Sequence, residues 1–99
     1  VSPTEIEHVI SRHEKVFEVA VVGVSDKVRG EVPKAFVALR EHATCTEEEI
    51  REYCMSRLPH YKVPKYFVFH KELPHGPTGK ILKRALKEEK FSGSANLST

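Results

Sequence analysis

The stretch from Val16 to Val24 reads Val-Phe-Glu-Val-Ala-Val-Val-Gly-Val, nearly continuous in apolar and β-branched residues, and it constrains the fold more than any other segment. A strand with one wet face alternates apolar and polar side chains, whereas a run like this one needs cover on both faces. The chain is therefore expected to build a small sheet with packing elements on either side of it.

The flanking sequence supplies those elements. Ser2 as N-cap, Pro3 at the first helical position and Glu5 three residues after the cap read as a capping box, with Ile6, Val9 and Ile10 on one stripe, so the spacing predicts a helix running to about His13. Ser25 to Glu31 is polar, contains Gly30 and turns the chain; Glu31 reads as a residue that fixes this turn. Val32 to Leu39 is a second strand able to pair with the first as a hairpin, with Pro33 confined to its start or to an edge. Thr46-Glu47-Glu48-Glu49 opens another capping box, followed by Ile50, Tyr53, Cys54 and Leu58 at helical spacing and ended by Pro59.

Tyr66 to His70 reads as a third, shorter strand. A last helix would bury Leu82, Ala85 and Leu86 and expose Lys83, Lys87 and Lys90. The expected fold is α+β, in the order α-β-β-α-β-α, with a roughly three-stranded sheet flanked by helices. Residues 1–90 form the folded domain in this reading, and residues 91–99, which from Ser92 to Thr99 lack the hydrophobicity to pack, form a disordered tail.

A chain of 99 residues makes one small domain that buries roughly two-thirds of its unfolded surface, too little to enclose a large substrate pocket. No apolar run approaches the roughly 18 residues of a membrane span and no basic-then-apolar leader opens the chain, so a soluble, cytoplasmic protein is expected. Cys45 and Cys54 fit neither a zinc pattern nor a disulfide framework, and Cys54 reads as helix core. Net charge is only +2, but residues 1–56 carry 7 Lys/Arg against 11 Asp/Glu while residues 57–99 carry 9 against 3. A basic C-terminal part suits a polyanion such as ATP, CoA or nucleic acid, and equally a solvated helix face.

Chemistry concentrates in Leu73-Pro74-His75-Gly76-Pro77-Thr78-Gly79-Lys80-Ile81-Leu82-Lys83-Arg84. Gly76 and Gly79 free the backbone, Pro77 stiffens it, and Lys80 is expected at the mouth of the last helix, where helix amides and an ammonium together would receive phosphate or carboxylate. Gly76, Thr78 and Gly79 are loop-supporting candidates. A nucleotide P-loop would place glycine and Ser/Thr where this chain has Pro74 and Ile81. No carboxylate pair is disposed for magnesium and no adenine site is recognisable, so the remainder of an active site would have to come from elsewhere. The start on Val1, directly before a helix cap, is as expected for a domain cut from a longer polypeptide at a hinge.

This lysine motif is similar to the C-terminal catalytic-lysine motif of the adenylate-forming superfamily: acyl-CoA and aryl-CoA synthetases, peptide-synthetase adenylation domains and firefly luciferase. Ser2-Pro3-Thr4-Glu5-Ile6-Glu7, the run closing on Val22-Gly23-Val24, Gly30-Glu31, Ala35-Phe36-Val37 and Leu58-Pro59-His60-Tyr61-Lys62-Val63-Pro64 resemble the same domain in order and spacing. The resemblance spans Ser2 to about Leu86. Pro77-Thr78-Gly79-Lys80-Ile81-Leu82-Lys83-Arg84 looks more like the CoA ligases than like the peptide-synthetase domains, in which Val/Leu-Asp more often follows the lysine.

The resemblance implies a two-step AMP-forming acid-thiol ligase using ATP, Mg2+ and CoA, with a carboxylic acid as substrate and most of the nucleotide site on a large N-terminal domain of the same chain. It implies that Lys80 is the catalytic lysine of acyl-adenylate formation, that this small domain then rotates to open a CoA channel, and that the domain alone is inactive. Arg57, Lys62 and Lys65 are candidate contacts for CoA phosphates, against the plainer reading of solvated surface cations. The motif also resembles a site at which a lysine acetyltransferase silences such enzymes, by removing the charge of Lys80.

His75 adjoins the loop, where an imidazole admits a general base, although His8, His13, His42, His60 and His70 read more simply as surface or packing residues. Two rival readings belong to other classes. Gly76-Pro77-Thr78-Gly79 spells the Gly-x-x-Gly loop of KH nucleic-acid-binding domains, but an apolar strand precedes it where a KH domain has a helix, and only two aromatics, Tyr66 and either Phe67 or Phe69, lie near enough to stack on bases. The other rival is an inactive interaction module derived from a ligase domain.

Overall fold

The computed structural model describes residues 2–88, so the expected tail and Lys90 lie outside the described residues. The elements follow in the expected order: α1 (Pro3–Ser11), β1 (Val16–Asp26), β2 (Gly30–Leu39), α2 (Glu47–Met55), β3 (Tyr66–His70) and α3 (Lys83–Lys87), with a 3-10 turn at His60–Lys62 before β3. The sheet order is β1-β2-β3. β1 and β2 form the hairpin, antiparallel from Val16↔Leu39 to Asp26↔Gly30 with an irregularity between Val16 and Glu18. β3 returns through α2 and pairs parallel to β2, from Lys34↔Tyr66 to Ala38↔His70. The connection through α2 is long enough for that direction, which a tight turn could not give.

Both faces of β1 are covered, as its composition requires. Val19 and Val21 join Ala35 and Val37 of β2 beneath Ile6 and Ile10 of α1, Ile50 and Cys54 of α2, and Leu58 just beyond it. On the other face Ala20 and Val22 join Phe36 and Ala38 beneath Leu73 and Leu86. The alternation is the two-residue period of a strand, here apolar on both phases.

Pro33 lies inside β2, the central strand, yet is fully buried without breaking a ladder. Its carbonyl accepts the Lys65 N–H at 3.0 Å, so the ring nitrogen faces the β3 side just before that strand's register begins at Lys34↔Tyr66. The missing donor therefore falls where β2 is still effectively an edge.

Two helix starts differ from each other. Thr46 caps α2 as expected: its hydroxyl accepts from Glu49 N while the Glu49 carboxylate accepts from Thr46 N. The box expected at Ser2 does not form, because Ser2 makes no side-chain cap and α1 relies on Pro3 at its first turn. Glu5 is instead drawn 2.6 Å from the Lys62 ammonium, and α1 ends at Ser11 rather than His13.

The β1–β2 turn is held by one carboxylate. Asp26 accepts the amides of Val28 (3.1 Å) and Arg29 (2.9 Å), and its other oxygen meets Lys65 Nζ at 2.5 Å. The Lys65 hydrogen bond, with the Arg29 amide next in weight, pulls the Asp26 carboxyl down to about 2. Glu31, expected to fix this turn, lays its side chain across Gly23, where a β-carbon would fall 2.6 Å from its Cδ.

β1 is an outer strand, and its Val21 N–H donates to Glu7 Oε2 of α1 at 2.8 Å. The same oxygen sits 2.6 Å from Lys83 Nζ of α3. One carboxylate thus joins the two helices that lie on opposite faces of the sheet around the edge of β1.

Candidate functional site

Lys80 does not stand at the start of a helix. α3 begins at Lys83, with Leu82 at its N-cap position and no side-chain cap, so the helix-mouth expectation fails by three residues. The reason is local: His75 and Ile81 face each other in an isolated antiparallel bridge, and this pairing holds residues 75–81 as a narrow loop. Gly76 N–H donates to the Lys80 carbonyl at 2.8 Å, and Leu82 N–H to the Pro74 carbonyl at 2.8 Å. The tip is a turn closed by Gly79 N–H to the Gly76 carbonyl at 3.0 Å, with Pro77 at its second position, where a fixed φ fits.

The two glycines serve the loop differently. Gly79 has φ +87° with open space around its absent β-carbon, so its role is conformational. At Gly76 a β-carbon would come 3.1 Å from Leu82 Cδ2, close enough that the leucine would have to give by a few tenths of an ångström. Leu82 is consequently spent on the loop and is 44% exposed, leaving Leu86 as the buried anchor of α3 in place of the expected Leu82-Ala85-Leu86 stripe. Thr78 lies exposed at the turn.

Lys80 projects from this loop exposed, and among the described residues no side chain pairs with its ammonium. It differs in this from its neighbours, since Lys83 is paired with Glu7 and Arg84 with Glu88. The Gly76–Gly79 segment spans an antiparallel bridge rather than joining two helices, Phe67 is buried and Phe69 partly so, which removes the geometry that a KH reading needs.

A family model for the AMP-binding enzyme C-terminal domain matches residues 5–80, from the first turn of α1 to the lysine itself. The chain belongs to that family. Among curated relatives of this AMP-binding C-terminal domain are a long-chain-fatty-acid–CoA ligase of Bacillus subtilis, 48% identical over 87 residues, and a crotonobetaine/carnitine–CoA ligase of Escherichia coli, 41% identical over 87 residues. These matches cover 88% of the chain but 16% and 17% of the relatives, so the chain spans about one-sixth of their length. Of solved structures, a Mycobacterium tuberculosis fatty acyl CoA synthetase is similar with a TM-score of 0.80 at 45% identity, covering 88% of this chain and 17% of that one. MatB of Rhodopseudomonas palustris reaches 0.85 at 35% identity, covering 90% and 18%.

The three candidate phosphate contacts of the AMP-binding C-terminal domain lie together in sequence but away from the lysine loop. Arg57 follows α2, stacking its guanidinium 3.7 Å over the Tyr53 ring and donating to the Tyr53 carbonyl. Lys62 is held by Glu5 and Lys65 by Asp26, and in each case the carboxylate hydrogen bond is the chief cause that raises the lysine's pKa. This connection packs through Val63 into the α1/α2 face, whereas Leu73, Ile81 and Leu86 place the Lys80 loop on the other.

Among the described residues no three His, Cys, Asp or Glu side chains gather as a metal site, and no helix is long and apolar enough to cross a membrane. Cys54 is buried in α2, and that burial pushes its thiol up to about 11, away from reactive thiolate chemistry. An open hollow of about 820 Å³ lies among Phe17, Leu39, Phe69 and the 40–43 and 70–72 segments; its lining mixes Arg40 and Lys71 with Glu41 and Glu72 and so presents no single charge to a phosphate.

Sequence reasoning missed Glu18. This carboxylate accepts the Leu73 N–H at 3.2 Å and lies 2.8 Å from His75 Nε2, tying the start of the lysine loop to β1. The signal was available: a carboxylate inside an otherwise apolar strand demands a polar partner. His75, weighed above as a general base, has its Nε2 committed to that carboxylate.

Proposed function

We propose that this domain is the mobile lid of an AMP-forming acyl-CoA synthetase and that Lys80 is its catalytic lysine. In the first half-reaction a carboxylate oxygen of the acid attacks the α-phosphorus of ATP and pyrophosphate leaves; in the second a CoA thiol displaces AMP. Lys80 places its ammonium against the oxygens on which negative charge accumulates during adenylation. The observation that carries this reading is the lysine itself, exposed and without an internal partner among the described residues on a loop closed by its own hydrogen bonds. Support also comes from the relatives, whose names describe CoA ligases acting on fatty acids and on crotonobetaine or carnitine.

The rest of the site belongs to a large N-terminal domain in this proposal, which would hold ATP, the acid and the Mg2+ that accompanies ATP, since the described residues offer no group of metal ligands. Rotation of the lid would then open the CoA channel. Lys62 and Lys65 would take CoA phosphates only by exchanging Glu5 and Asp26 for them, and Arg57 by leaving Tyr53. An exposed Lys80 is also open to an acetyltransferase, and acetylation would remove the charge that adenylation uses.

The test uses the full-length ligase. Lys80→Ala should slow acid-dependent pyrophosphate release about 100 to 1,000-fold, equivalent to roughly 3 to 4 kcal/mol for one lost electrostatic donor, and leave thioester formation from supplied acyl-adenylate nearly unchanged. Equal loss in both half-reactions would refute the assigned role.

A further inference from the structure

Lys80 is useful only if its backbone is held still, and the structure shows what holds it. Glu18 projects from β1 on the same phase as Ala20 and Val22, toward the loop face. One of its oxygens receives the Leu73 amide at 3.2 Å and the other lies 2.8 Å from His75 Nε2. His75 is the residue bridged to Ile81, and the next residue, Gly76, donates its N–H to the Lys80 carbonyl at 2.8 Å. A short path of hydrogen bonds, joined through the covalent step from His75 to Gly76, therefore leads from the sheet to the backbone of Lys80. The downstream end is fastened separately, by the 2.6 Å pair between Lys83 and Glu7.

We propose that Glu18 is the positioning residue of Lys80: it fixes the upstream arm of the loop on β1 so that the ammonium is presented at one place relative to the domain. Its side chain is largely buried, 15% exposed against 36% for the histidine it holds, and its two oxygens are divided between a backbone amide and a ring nitrogen. A carboxylate kept only for stability would serve equally well with any partner; this one is bonded to both residues that lead into the lysine bridge. The proposal rests on the adenylation role given to Lys80 above and deepens it.

The experiment is a set of variants in the full-length ligase, read in both half-reactions. Glu18→Ala should slow pyrophosphate release by about ten- to a hundredfold, the scale on which a small misplacement of a catalytic group is felt, while thioester formation from supplied acyl-adenylate stays within about twofold. Glu18→Gln, whose amide oxygen still accepts the Leu73 N–H, should recover most of that loss. The double variant with Lys80→Ala should be no slower in adenylation than Lys80→Ala alone, because a residue acting through the lysine has nothing left to act on. His75→Ala, at an exposed ring, gives a second probe should Glu18→Ala fail to fold, and is expected to slow adenylation several-fold.

Multiplying losses in the double variant, or parallel losses in both half-reactions, would make Glu18 merely structural and overturn the proposal. So would normal adenylation in both Glu18→Ala and His75→Ala while Lys80→Ala is impaired. Normal adenylation in Lys80→Ala itself would bring down the catalytic reading first, and the positioning role with it.

Discussion

The two faces of the sheet are built on different terms. Among the described residues, twelve buried side chains from five elements and the connection after α2 form one apolar cluster under α1 and α2, while the α3 face has six, and its helix is a single short turn. The richer face is held chiefly by hydrophobic burial, which is indifferent to direction, with ion pairs such as Glu5–Lys62 and Lys15–Glu49 at its rim. The poorer face compensates with directional contacts: the Glu18 carboxylate, the His75–Ile81 bridge and the Glu7–Lys83 pair. The lesson is a division of labour, in which stability is concentrated on one side and an exposed, oriented lysine is mounted on the other.

The sharpest way to break that division is to damage the richer face alone. Ile10→Ala removes a fully buried side chain between α1 and the sheet and should destabilise the protein by about 2 to 5 kcal/mol. Well below the unfolding transition, adenylation by the full-length ligase should stay near normal. A large kinetic loss at a temperature where the chemical-denaturation curve is still at its folded baseline would show that the two faces are not separable.

A smaller effect is expected at the loop. Gly79→Ala meets no neighbour but forces an alanine to φ +87°, a strain of about 1 to 2 kcal/mol. The loop should relax toward another backbone conformation and adenylation should slow several-fold, with thioester formation and melting temperature changed much less. An unchanged pyrophosphate-release rate would mean that Lys80 does not depend on the loop's shape.

The smallest effect concerns the β1–β2 turn, remote from the lysine. The folded Asp26 carboxyl titrates at about 2 against 3.8 without its partners, so its contribution is present in full above about pH 4 and is lost as pH falls toward 2. Asp26→Asn keeps the acceptor for the turn amides but loses the Lys65 charge pairing. Its urea midpoint should lie slightly below that of the parent at pH 7 and converge with it near pH 2, since exposed pairs contribute little. A gap that widened in acid would reverse the sign assigned here.

Much of this architecture was legible because it depends on local pattern. The Val16–Val24 run announces a strand covered on both sides, and Thr46 with Glu49 marks the start of α2; both are rules that act within a few residues. Ser2-Pro3-Thr4-Glu5 offers the same letters as that box and fails, because Lys62, 57 residues away, competes for the Glu5 carboxylate. The position of Lys80 was misjudged for a like reason. Leu82 looks like a helix-face residue until it packs on Gly76, and the His75–Ile81 bridge delays α3 to Lys83. Lys80 and its glycines were legible as a motif; the need of Glu18 for a polar partner was legible too, but the identity of its partners was not, because they lie 55 and 57 residues further along the chain.

The Glu7 carboxylate has a consequence beyond joining two helices. The outer strand of a small sheet is a template on which a second chain can zip, copy upon copy, into aggregates. At Val21 that template is already occupied, by an acceptor that Lys83 holds in place. A newcomer would have to evict a charged group and orphan an ammonium before forming its first hydrogen bond there. The contact that steadies the downstream arm of the lysine loop thus also closes one position of that edge to a second chain.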